Sequence, residues 1–88
     1  MFAFQGYKLR VKDGDSVFIL PDRAVKIAKR NARDAKTRDC IVRTIHEAWE
    51  KNAVFTTKVG LLSRLRGYVE VNLYGEMLSV HDSDVIRV

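Results

Sequence analysis

Between Arg23 and Arg38 the chain carries seven cations, Arg23, Lys26, Lys29, Arg30, Arg33, Lys36 and Arg38, against one acid, Asp34. On a helix, Arg23, Lys26, Arg30 and Arg33 fall at steps of three and four, so they share one side, and Lys29 and Lys36 widen it. The chemistry open to such a ridge is electrostatic. Cations at near-helical spacing can each meet a phosphate of a nucleic acid and release a counterion. An ordinary solvated helix face mixes both signs to gain pairing between residues i and i+4, and here most of the cations lack that partner. A second basic set, Lys8, Arg10 and Lys12, alternates with Tyr7, Leu9 and Val11. This period of two predicts a strand with a wholly basic outer face. Lysines on an edge strand also guard against sheet-to-sheet pairing, so the second set counts as a phosphate surface only where it joins the first.

Other chemistry is weaker. His46, Glu47 and Glu50 share a helical stretch but lack the second histidine of a zinc-protease helix. His81, Asp82, Ser83 and Asp84 form a polar quartet that could move protons, as in a small toxin-type ribonuclease. Between two strands, such a quartet is more often a turn, and the late strands add only Arg87 as a cation. Cys40 stands alone, which excludes an intramolecular disulfide, and it has no evident base beside it. Neither a phosphate-cradling glycine loop nor a metal-ligand spacing is present, so no cofactor and no enzyme is expected.

The aromatic residues do not supply a stacking fingerprint. Tyr7 falls on the apolar side of its predicted strand and Trp49 on the apolar side of a helix, which assigns both to the core. Tyr68 and Tyr74 fall outward beside Glu70 and Glu76, company that suits a protein contact better than a phosphate track. Tyr68, Tyr74 and Glu70 are therefore the protein-contact candidates. No aromatic RNA-binding motif, KH loop or zinc-finger spacing is found.

The elements that must position these residues follow from pattern. Asp13-Gly14 signals a hairpin turn, with Val17–Leu20 as the returning strand and Phe2 and Phe4 extending the first arm. Pro21 stops that strand and Asp22 can cap a helix. Val25, Ala28, Ala32 and Ala35 make one narrow apolar stripe, and Ile41, Ile45, Ala48 and Trp49 make another. They predict helices over residues 22–36 and 39–52, with a junction near Thr37 and Asp39. Thr56 or Thr57 can cap a short third helix carrying Val59, Leu62 and Leu65, weakened by about 1 kcal/mol at Gly60. Alternation of Val69, Val71 and Leu73 predicts a hairpin turning at Gly75-Glu76, and residues 85–88 a last strand. The expected fold is α+β: an N-terminal β-hairpin, two or three helices, and a C-terminal antiparallel meander packed on the helices.

At 88 residues the chain has room for one domain, residues 1–88, and its 47% hydrophobic content is that of a folded protein. Fifteen Lys and Arg face seven Asp and Glu in residues 1–66, and one faces four in residues 67–88, so a polyanion would choose the first part. No apolar run reaches the roughly 20 residues of a membrane span, and the first residues lack a secretory pattern. A cytoplasmic location, with no membrane partner, is expected. A domain this small often dimerises to bury more apolar area, and a homodimer is expected.

The reading that best fits is a non-enzymatic nucleic-acid-binding protein, RNA favoured over DNA. Its phosphate ligands would be Lys8, Arg10, Lys12, Arg23, Lys26, Lys29, Arg30, Arg33 and Lys36. The alternatives are a small phage- or antitoxin-type inhibitor of a protein target, with or without RNA, and a winged-helix DNA binder built on the third helix and the following hairpin.

Overall fold

Val17 and Ile19 are fully enclosed while Phe18 between them is not, the alternation of a strand with one face in the core. In the computed structural model, which describes residues 6–88, this strand is β1 (Ser16–Ile19). It lies between β2 (Phe55–Lys58) and β5 (Val85–Arg87), antiparallel to both. The hairpin of β3 (Tyr68–Leu73) and β4 (Glu76–His81) completes a five-stranded sheet in the order β4-β3-β2-β1-β5. β4 and β5 are its opposite edges, yet only residues 82–84 join them. Four strand spacings of about 4.8 Å exceed what four residue steps of about 3.4 Å can bridge, so the sheet has to coil.

Two helices fill the connection between β1 and β2: α1 (Ala24–Asn31), entered through a 3₁₀ turn at Pro21–Arg23, and α2 (Ala35–Glu50). α1 buries Ala24, Ile27 and Ala28, and α2 buries Ile41, Ile45 and Ala48. The small residues let α1 lie close to the sheet, where Asn31 clamps β4. Its side-chain amide donates to the Ser79 carbonyl at 2.8 Å and its oxygen accepts the Ser79 N–H at 2.8 Å. These helices join Phe55, Val69, Val71, Leu78, Val80 and Val85 in a single cluster of buried apolar side chains. The α+β class and the C-terminal meander are thus as expected, and no helix among the described residues is long and apolar enough to cross a membrane.

Three local features differ from expectation, each for a non-local reason. Residues 7–12 form no strand against β1, because β2 and β5 already occupy both of its edges. The Asp13-Gly14 turn is nonetheless present, with Gly14 at φ 85°, and its Gly14 N–H reaches the Thr57 carbonyl at 2.8 Å. Phe2 and Phe4 lie outside the described residues. The third helix is replaced by β2 and a 3₁₀ turn, Ser63–Arg66. Thr57 is buried, and its hydroxyl donates to the Lys12 carbonyl at 2.7 Å rather than capping a helix.

The helix junction sits at residues 32–34, earlier than expected, because Asp34 is the cap. Its carboxylate accepts from the Thr37 N–H and the Thr37 hydroxyl, both at 2.9 Å. Asp22 makes no such bond, since Pro21 starts a 3₁₀ turn instead. The Thr37 N–H, then the Thr37 hydroxyl, hold the Asp34 carboxyl below the usual carboxylate range. A lowered folded-state pKa means stabilisation that is present above the unfolded pKa and lost as pH falls through the folded one. Asp34→Ala should therefore melt below the wild type at neutral pH, with the gap closing on acidification. Thermal unfolding across a pH series checks this; a gap that persists at the most acidic pH contradicts it.

Candidate nucleic-acid interface

The corner between β4 and β5 organises the surface. Asp82 and Asp84 in the linking turn are both fully buried. The Asp82 carboxylate accepts from the backbone N–H groups of Arg10, at 3.2 Å, and Val11, at 3.3 Å. It also accepts from Arg10 Nε at 3.1 Å and from the Tyr7 hydroxyl at 3.3 Å. Asp84 accepts from Lys26 Nζ at 3.1 Å and from the His81 N–H at 2.9 Å. A carboxylate this enclosed is tolerable only with such donors. The quartet of residues 81–84 is thus a corner whose two acids hold the N-terminal segment and α1 in place.

Aromatic rings pack on the same corner. His81 Nδ1 accepts from the Ser83 N–H at 3.1 Å, which fixes the imidazole. Tyr7 and Tyr68 meet that ring edge-on, with centroids 5.1 and 5.0 Å away. Gly67, at φ 86°, closes the back of this group. A Cβ there would come 2.6 Å from His81 Nε2 and 2.9 Å from Tyr7 Cγ, so only glycine fits. Tyr7 is accordingly not a core residue but a half-exposed one, 42% accessible.

The nine predicted phosphate ligands do not form one ridge. Arg10 and Lys26 are anchored to the buried acids Asp82 and Asp84. Arg30 lies over the Tyr68 ring, its guanidinium carbon 4.1 Å from the centroid. Arg23 approaches Asp22 at 3.9 Å. Because α1 ends at Asn31, Arg33 and Lys36 fall outside it, and both are exposed together with Lys29. Lys29 borders a shallow cleft between the two helices, where Arg38 and Asp39 also lie.

What the structure does gather is a different set. One groove of about 660 Å³ is lined by Lys8, Lys12 and Arg64, with Asp13 as its one acid. A second, of about 850 Å³, is lined by Arg30, Arg66 and Tyr68 with no acid. Leu65 lines both, so the turn Ser63–Arg66 is a rib between them. The rib is tied to the N-terminal segment by the Tyr7 N–H, which donates to the Leu65 carbonyl at 3.0 Å. Arg64 and Arg66 were not among the expected ligands. Their signal is the alternation Arg64-Leu65-Arg66, which a helical reading of residues 57–66 hides.

The protein-contact candidates also separate. Tyr68 is half-buried under Arg30, and Glu70 stands opposite Lys58 across the strands. Tyr74 is exposed in the turn at the far end of β3, edge-on to Phe55 at 5.4 Å. Trp49, expected in the core, is 39% exposed and packs edge-on against Phe18 at 6.0 Å. Among the described residues no three His, Cys, Asp or Glu side chains gather as metal ligands. Set against known proteins, the chain matches no family model, no curated protein and no solved structure.

Proposed function

We propose that this chain is a non-enzymatic nucleic-acid-binding module that holds RNA phosphates along the two grooves flanking the rib Ser63–Arg66. One observation carries the reading: Lys8, Lys12 and Arg64 in one groove and Arg30 and Arg66 in the next, meeting at Leu65 with Asp13 as the only lining acid. Several cations spread over two adjoining grooves suit a repeating phosphate better than an isolated anion, and groove walls focus their field. RNA is favoured over duplex DNA. The helix a winged-helix reader would place in the major groove is a strand end and a 3₁₀ turn here, and α1 turns Lys26 onto Asp84 in the corner between β4 and β5 and Arg30 onto Tyr68 of β3.

The test is a salt titration of binding to a fluorescent single-stranded RNA. Each phosphate contact contributes about −0.7 to the slope of log K against log salt, so five contacts predict about −3.5. Absence of binding at low salt overturns the reading.

A second face supports self-association beside this function. Phe18 on β1 pairs with Ile86 on β5 and packs on Trp49, and Trp49, Ile86 and Val88 are exposed. An apolar face of this kind suits a second copy of the chain, or the protein target of an inhibitor. Sedimentation should give a dimer for the wild type and a monomer for Trp49→Glu/Ile86→Glu. A wild type that stays monomeric at high concentration rules the homodimer out.

A further inference from the structure

Resting on the RNA-binding reading, we infer that the second groove is a base subsite, taking one unstacked base of single-stranded RNA on the Arg30 guanidinium. Arginine on a surface helix ordinarily samples many rotamers, and a flexible side chain makes a poor platform. Here a chain of contacts holds it. The Ser83 N–H fixes His81, His81 supports Tyr68 edge-on, and the Tyr68 ring lies beneath the guanidinium at 4.1 Å. The ring holds the cation from one side. Arg30 remains exposed and lines the groove, so it stays accessible to a ligand from the groove. RNA bases splayed out of a helix stack on arginine planes as they do on aromatic rings.

The remaining walls fit a base better than they fit phosphate alone. Leu62, 81% exposed, and Leu65 line the same groove, and Leu61 beside them is 77% exposed. These leucines are held out by a pinned turn. The Leu65 N–H donates to the Leu62 carbonyl at 3.2 Å, the Tyr7 N–H holds the Leu65 carbonyl, and Gly67 ends the turn in the left-handed region. Apolar side chains fixed in water amid cations have no role toward a phosphate, whereas the face of a base needs such a wall. Arg66, Ser63 and Ser79 supply polar groups in the same groove for the flanking phosphate and the base edge. The groove is open to solvent, and its volume of about 850 Å³ leaves room for a base. A continuous duplex keeps its bases stacked and cannot fill this subsite, so the ligand class is a single strand, a loop or an end.

Arg30→Lys separates the plane from the charge, because lysine keeps the cation but offers no stacking face. The experiment measures binding of a single-stranded oligoribonucleotide and of a duplex with the same number of phosphates, for wild type and Arg30→Lys. The wild type should prefer the single strand, and the substitution should lower that preference about tenfold, the worth of one base stack. Leu62→Ser should erode the same preference while leaving the salt slope unaltered. A wild type that binds duplex as tightly as single strand, or an Arg30→Lys variant that keeps the full preference, overturns the base subsite while RNA binding itself stands. If neither RNA binds at low salt, the functional reading falls and this inference falls with it.

Discussion

Replacing Asp82 with alanine is expected to cost about 3 kcal/mol of stability, a large part of the roughly 5–15 kcal/mol that holds a small domain together. The loss does not come mainly from the ion pair. The Arg10 side chain is 68% exposed, so water and salt screen its share, and such a pair contributes little. The cost lies with the backbone. The N–H groups of Arg10 and Val11 both point at the Asp82 carboxylate, and Val11 is buried, so alanine leaves a donor without water or acceptor. The same change frees the N-terminal segment from the corner that joins β4 to β5, the place where the coiled sheet is stapled. Asp82→Asn should fall between alanine and wild type. It keeps one oxygen for the backbone N–H groups but turns an amide N–H toward Arg10 Nε, donor against donor. Urea unfolding at neutral pH measures all three, and an unchanged m-value would place the effect in the native state. An Asp82→Ala chain within about 0.5 kcal/mol of wild type, the spread of an ordinary surface substitution, would refute this account.

The limits of the sequence show at this same corner. Patterns of short range were legible: the period of two in Val69, Val71 and Leu73, the enclosed Val17 and Ile19, and the Ile41, Ile45 and Ala48 stripe of α2. Each is set by backbone geometry over a few residues. The stripe expected on α1 was misplaced, with Val25 and Ala35 exposed and Ala24 and Ile27 buried in their stead. Pairing was not legible in the same way. Asp13-Gly14 correctly signals a turn, but the arm before it is claimed by Asp82, more than 70 residues away, and β1 takes its partners from β2 and β5. Asp34, Thr37 and Asp39 are all cap-type residues, and only the observed bonds to Thr37 choose among them. The candidate site failed in an instructive way. Charge spacing on one helix marked a ridge, whereas Lys26 finds its acid 58 residues on and Arg30 finds Tyr68 on β3. The cations that complete the grooves, Arg64 and Arg66, sit in a stretch whose helical spacing of Val59, Leu62 and Leu65 pointed elsewhere. A constellation assembled by tertiary closure leaves little trace in local spacing.

Reversing both rib cations, Arg64→Glu/Arg66→Glu, should weaken RNA binding on the order of 100-fold near 0.1 M salt and flatten the salt slope by about 1.4, the share of two single-strand contacts. The size follows from counterion release. At that salt each lost contact is worth about fivefold, so two are worth about 25-fold, and repulsion from the two glutamates brings the loss to the order of 100-fold. Among the described residues neither arginine makes an ion pair, so the fold should survive, with the melting temperature near that of the wild type. The decisive comparison is Lys29→Glu/Arg33→Glu, which changes the net charge by the same amount on the exposed helical side that first drew attention. Those two residues line neither groove. With a screening length of about 10 Å at 0.1 M salt, their reversal should act only through the weak overall field, within a few-fold. If reversal of Lys29 and Arg33 weakens binding as much as reversal of the rib, the helix ridge is the grip after all and the grooves are incidental. If only the rib matters, the phosphates run along the turn Ser63–Arg66, with the N-terminal segment lining one groove and Arg30 of α1 the other, a path that no single segment of the sequence describes.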